Sequence, residues 1–106
     1  MSVNLPLAYG YIRLDLAGHV LTTCEQRMQA FAREQGYQLA AVFHERAPRD
    51  ATLPQAFIDL IDECRRAEAH MVFTLCGHLA GMATPRTCLL DVMAARGRAH
   101  VCELPV

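Results

Sequence analysis

The run Ala8-Tyr9-Gly10-Tyr11-Ile12-Arg13-Leu14-Asp15 narrows the possible folds more than any other stretch of this sequence. Its short apolar block, carrying Tyr, Ile and Leu, has the make-up of a strand buried on both faces, as strands of parallel sheets are. The run breaks off into Asp15-Leu-Ala-Gly18-His19, a glycine-containing loop ahead of a helix. In open α/β sheets the residues just past a strand's carboxyl end line the crevice where ligands bind. Period-two alternation places Tyr11, Arg13 and Asp15 on one side of the strand and Gly10, Ile12 and Leu14 on the other. An arginine in a core strand is costly without a partner or a task. Arg13 and Asp15 are therefore the first residues to question. Their structural alternative is an ion pair that secures the loop.

The rest of the chain alternates helical and extended patterns. Thr22-Thr-Cys-Glu25 has the form of a capping box, and Leu21, Cys24, Met28, Phe31 and Ala32 recur at helical spacing before Gly36 ends the helix. Tyr37 to Phe43 reads as a second strand, and His44 to Ala51 as a polar loop. Thr52-Leu-Pro-Gln55 is a second capping box, opening a helix whose buried stripe is Phe57, Leu60, Ile61 and Cys64. A third strand, His70 to Leu75, runs into the glycine-flanked loop Cys76 to Met82. Thr84-Pro85 supplies a cap and a first-turn proline for a third helix, with Leu89, Leu90 and Met93 inward and Gly97 as its stop. Ala99 to Leu104 is a fourth strand. Such regular alternation implies right-handed βαβ units. The expected fold is a three-layer α/β/α domain spanning residues 1–106, with a mainly parallel four-stranded sheet in the order 2-1-3-4. Its first strand lies inside the sheet, and helices cover both faces, in the manner of flavodoxin.

A hydrophobic content of 53% against 20% charged residues excludes disorder. The net charge of −1 removes the electrostatic reason for DNA binding by this chain alone. No apolar run approaches the ~18–20 residues of a membrane span, and no signal peptide is visible. The five cysteines form no CxxC pair and fit small core hydrophobes of a reducing cytoplasm, with Cys24, Cys64 and Cys88 on apolar helix faces. His44, His70, Cys88 and His100 lack the paired spacing of a tetrahedral site, so neither a metal nor a cofactor is expected. Cys76-Gly77-His78 offers a thiol beside a base but no third group to orient it. Arg46, Arg49, Arg65 and Arg66 stand among acidic neighbours and read as solvated surface.

In this frame Tyr9-Gly-Tyr-Ile-Arg13-Leu-Asp15 resembles the aromatic-Gly-Tyr-x-Arg-Val-Ser opening of the serine recombinases, the resolvases and DNA invertases. A glutamine early in the next helix (Gln26 or Gln29), Glu34-Gln-Gly-Tyr37 and Phe43 follow in that family's order, so the likeness runs from Ala8 to Leu104. It implies a resolvase-like catalytic domain without the family's dimer helix and C-terminal helix-turn-helix. The active-site positions depart from the pattern. Asp15 stands where the family has its nucleophilic serine. His44-Glu-Arg-Ala47-Pro48 replaces an Asp-x-x-Ser-Gly loop, and Leu53 replaces an arginine. Leu75-Cys-Gly-His78-Leu-Ala-Gly81 keeps the apolar frame of Leu-Asp-Arg-Leu-x-Arg and drops its charges at positions such as His78 and Gly81. Of the catalytic arginines, the resemblance leaves Arg13.

Cleaving a phosphodiester needs a nucleophile and cations for the charge that builds on the phosphate oxygens; each such donor is worth about 10²–10³ in rate. The expectation is therefore a catalytically inactive resolvase-like module. It would bind a protein partner or itself, through a crevice of Arg13, Asp15, His44, Cys76 and His78. The rival expectations are residual DNA strand cleavage, another reaction using Asp15, Cys76 and His78, and a small-molecule sensor in the same crevice.

Overall fold

The first strand of a chain can lie inside a sheet only if both its neighbours come later, and parallel neighbours must be reached by crossovers. The computed structural model, which describes residues 5–46 and 53–105, has this arrangement. Strands β1 (Leu7–Arg13), β2 (Gln38–Glu45), β3 (Met71–Leu75) and β4 (His100–Leu104) form one sheet in the order β2-β1-β3-β4. All three neighbouring pairs are parallel. The helices are α1 (Leu14–Ala17), α2 (Leu21–Glu34), α3 (Gln55–Ala67) and α4 (Arg86–Val92), the last continuing into a π-helical turn over Met93–Gly97. Among the described residues no helix is long and apolar enough to cross a membrane.

Alternation along β1 divides the core in two. Ala8 and Ile12 join Met28 and Ala32 of α2, with Phe73 and Leu75 of β3, on one face. Tyr9 and Tyr11 join Phe57, Leu60, Ile61 and Cys64 of α3, with Leu89 and Met93, on the other. Tyr11 and Phe57 meet edge to face with ring centroids 5.4 Å apart. Gly10 lets α2 approach the sheet: a Cβ there would collide with the Met28 sulfur and press on Val42. Thr74, fully buried, donates its hydroxyl to the Tyr11 carbonyl at 2.7 Å and joins β3 to β1 beyond the ladder itself.

Several boundaries differ from the sequence expectation. β1 ends at Arg13 and the backbone turns helical at Leu14, so the expected loop Asp15–His19 is α1 followed by a 3₁₀ turn, Gly18–Val20. Gly18 (φ 55°) ends α1, and the 3₁₀ turn runs into α2 at Leu21, which places Thr22 inside the helix and leaves its capping box without a cap bond. His44 and Glu45 extend β2 rather than opening a loop, because their ladder with Ile12 and Arg13 continues to the end of β1. Thr84 makes no cap bond; Pro85 stands at that helix start. Gly97 lies in the π turn, where a side chain would press on Met93, and Arg98 takes the left-handed conformation instead (φ 55°). Cys88 is exposed, on the side of α4 away from Leu89 and Met93, and does not belong to the core. Thr52, the other expected cap, lies outside the described residues, as do Ala47, Pro48 and Arg49.

The start of α3 is served from elsewhere. Pro54 precedes it and brings no side-chain acceptor. Glu45, buried at the end of β2, accepts the backbone N–H groups of Ala56 and Phe57, each at 3.2 Å. It also accepts the Tyr11 hydroxyl at 2.9 Å. One carboxylate thus ties β2 to β1 and caps α3, where negative charge suits the helix dipole. Burial, with Glu45 alongside, pushes the Tyr11 phenol well above its ordinary range.

Replacing Glu45 by Ala strands two helix N–H groups and a buried phenol. It should destabilise the fold by roughly 2–4 kcal/mol, and Tyr11→Phe by only about 1 kcal/mol. Chemical denaturation measures both; an unmoved midpoint for Glu45→Ala would mean that the cap bonds carry no stability.

Candidate functional site

The carboxyl ends of β1 and β3 face the segment at residues 76–84, and Arg13 lies at their junction. As the last residue of β1 it points its side chain to the α3 side, in line with Tyr9 and Tyr11. Only 8% of that side chain is exposed, so its charge needs compensation within the protein. Asp15 supplies it through a two-pronged pair: Arg13 Nη2 donates to Oδ2 at 2.7 Å and Nε to Oδ1 at 3.2 Å. The helical turn at Leu14 brings Asp15 back over the guanidinium, although strand alternation no longer applies there. Arg13 Nη1 donates to the Ala80 carbonyl at 2.7 Å, which links the pair to the segment after β3. Hydrogen bonds from Arg13 hold the Asp15 carboxyl below the usual carboxylate range.

The backbone of Arg13 is held as well. Its N–H donates to His78 Nδ1 at 2.9 Å. His78 is itself buried. An acceptor at Nδ1 requires the neutral ring with its proton on Nε2. Burial, and then the nearby Arg13 charge, depress the His78 pKa below its ordinary value, in keeping with that bond.

The structure therefore brings together Arg13, Asp15 and His78 and separates the other candidates from them. His44 turns to the α2 face and meets Glu25 at 3.1 Å, each side chain being a little over a third exposed. Cys76 is exposed, and among the described residues no hydrogen bond joins its thiol to Asp15 or His78. Leu53 is half-buried against the α3–α4 core. Gly81 adopts a positive φ of 75° in the segment after β3. Among the described residues no three His, Cys, Asp or Glu side chains converge in a way that could hold a metal ion. Sequence reasoning missed Glu45 and the Ala80 carbonyl. A strand-end carboxylate preceding a helix that opens with proline was a signal for the first; a backbone carbonyl leaves none.

No protein-family model matches the sequence, and no curated protein does. Solved structures do match. The C-terminal catalytic domain of ISC1926 TnpA, an IS607-like serine recombinase, superposes with a TM-score of 0.73 at 13% identity, over 94% of this chain and 68% of that one. A resolvase family site-specific recombinase from Streptococcus pneumoniae superposes with a TM-score of 0.69 at 17% identity, over 92% of this chain and 71% of that one. At such identities the likeness is one of fold, and in fold this chain is a resolvase-like domain.

Removing the charge of Asp15 with Asp15→Asn leaves a nearly buried guanidinium with weakened compensation. A loss of about 1–2 kcal/mol at pH 7 is expected, moderated by the partial exposure of Asp15. Because its folded pKa is depressed, the contribution of Asp15 is present above its ordinary value of 3.8 and is lost as pH falls through the lower folded value. Urea denaturation between pH 7 and 3 should show wild type and variant converging at the acid end. A constant gap would show that the charge of Asp15 is not what stabilises.

Proposed function

We propose that this domain has a resolvase-type fold that no longer cuts DNA and acts through contacts with protein, either a partner or a second copy. The observation that carries the reading is the closed state of Arg13. Its guanidinium is committed to Asp15 and to the Ala80 carbonyl, so an incoming phosphate would have to displace a carboxylate. Arg86, which lies near Cys76, is paired with Glu103 at 2.9 Å. A strand-cleaving site needs cations free to take up transition-state charge, and a hydroxyl or comparable nucleophile at its centre. Here the position that the resemblance assigns to the nucleophile holds an ion-paired carboxylate. The net charge of −1 adds no pull towards a polyanion.

Two exposed apolar side chains support a protein-facing role. Leu16, in α1, and Val20, in the 3₁₀ turn after it, lie on the segment following β1 and are 51% and 42% exposed. Apolar exposure next to a conformationally fixed polar cluster suits a protein contact better than a phosphate backbone.

The decisive assay incubates the protein with supercoiled plasmid at low salt and resolves nicked DNA and covalent protein–DNA adducts on denaturing gels. Neither wild type nor Asp15→Ser should give either product. Restoring a hydroxyl leaves Leu53, His78 and Gly81 without the cations that the resemblance requires at those positions. An adduct from wild type would overturn the reading. One from Asp15→Ser alone would show that a working phosphate site survives around residue 15, and would overturn it equally.

A further inference from the structure

The segment at residues 76–84 has two polar ties to β1, and both end on the same residue. His78 Nδ1 accepts the Arg13 N–H, and the Ala80 carbonyl accepts Arg13 Nη1. Its remaining anchors are apolar: the buried Leu79 between them and the half-buried Met82, both packed on the α3-side core. Its other backbone bonds, His78 N–H to Leu75 and Ala80 N–H to Gly77, stay within β3 and the turn itself. One of the two ties depends on the protonation state of an imidazole.

We propose that His78 is a proton-operated latch: neutral, it fastens residues 76–84 to the end of β1 through the Arg13 N–H, and a proton on Nδ1 releases them and opens the crevice over Arg13. The chemistry is that of a donor facing a donor. The Arg13 amide offers only an N–H in this direction. Protonation converts Nδ1 from acceptor to N–H donor, so the bond is replaced by repulsion and the strand-end amide is left without a partner. The charged groups facing the ring are the Arg13 guanidinium from β1, which opposes protonation, and Asp15 from α1, which favours it. Glu45, across the ladder from Arg13, is engaged with Tyr11 and the start of α3. Burial is the larger influence and also opposes the charged ring. The latch is therefore fully closed above the ordinary histidine value of 6.5 and opens as pH falls through a lower one. Leu79 remains in the core, so the opening is local: residues 80–84 lift, the half-buried Met82 leaves the edge of the core, the Ala80 bond to Arg13 breaks with them, and Arg13 keeps only Asp15. Neither the latch nor its test depends on whether the domain binds protein or cuts DNA.

The experiment is amide hydrogen exchange followed by NMR from pH 7.5 to 4.5, with rates corrected for intrinsic pH dependence, alongside titration of the His78 ring. Protection of the Arg13 amide should fall by about tenfold, the worth of one hydrogen bond of typical net strength. Residues 80–84 should loosen with the same midpoint as the His78 ring, while Phe73 in β3 stays protected. In His78→Asn the side-chain carbonyl stands near the place of Nδ1 and does not titrate, so Arg13 protection should stay flat. In His44→Gln the transition should be unchanged, since His44 lies on the other face. Three results would each overturn the latch: a His78 ring that titrates while Arg13 protection holds, a transition lost in His44→Gln, or exchange rising through the whole sheet at once. If His78→Asn does not fold, the wild-type coincidence of midpoints and the His44→Gln control decide the matter.

Discussion

A single buried positive charge at the end of the central strand sets the terms for this end of the molecule. The guanidinium of Arg13 is almost out of water and cannot remain there alone. Asp15 neutralises it because the chain turns helical as soon as β1 ends. The Ala80 carbonyl fills a further donor, which fixes how the chain leaves β3. His78 then occupies the Arg13 amide at the point where the β1 ladder runs out. Around one residue, two separate stretches of the chain, the start of α1 and the segment after β3, acquire fixed positions. Three of its five N–H donors are engaged within the protein, which makes this cation part of the frame that holds the end of the sheet.

Glu45 fills the corresponding role on the neighbouring strand. Its two oxygens receive two helix N–H groups and a phenol, so β2, β1 and α3 meet at one carboxylate. Tyr11 and Arg13 face the same side of β1, with Glu45 opposite Arg13 in the ladder. The carboxyl end of the sheet is consequently a row of polar groups that answer one another inside the protein. No buried side-chain nitrogen or oxygen among the described residues lacks a partner. A polar cluster in which every member is satisfied behaves as a rigid unit, and partial loss of it is costly.

Much of this fold was legible in the sequence because period-two and period-3.6 burial is a collective signal. The stripe Phe57, Leu60, Ile61 and Cys64 is buried as its spacing implies, and the sheet has the order 2-1-3-4. Helix ends were read less well. Thr22 and Thr84 carry the side chains of N-caps and do not serve as caps. A cap pattern is local, whereas a helix start is decided by what the preceding backbone does and by acceptors from other elements. The 3₁₀ turn Gly18–Val20, running into α2 at Leu21, overrode the first. At α3 the acceptor came from Glu45, ten positions before the helix starts at Gln55. At the candidate site, the nearness of Arg13 and Asp15 along the chain made their pairing foreseeable. His78 meeting the Arg13 amide was not, since a bond across 65 positions depends on the completed sheet.

Placing the earliest strand inside the sheet has a consequence for how the chain assembles. Strand β1 gains β2 after one crossover, but its other edge stays open until β3 has formed, and Tyr11 meets Thr74 across 63 positions. Non-local parallel pairing of this kind incurs its loop-closure entropy before any contact offsets it, which slows folding relative to helical domains of equal size. In the interval, Tyr9, Tyr11 and Ile12 belong to a half-built sheet with one bare edge. A chain leaving the ribosome from its amino end therefore leaves a strand destined for the sheet interior uncovered longest, and that interval is when it is most open to aggregation or to capture by a chaperone.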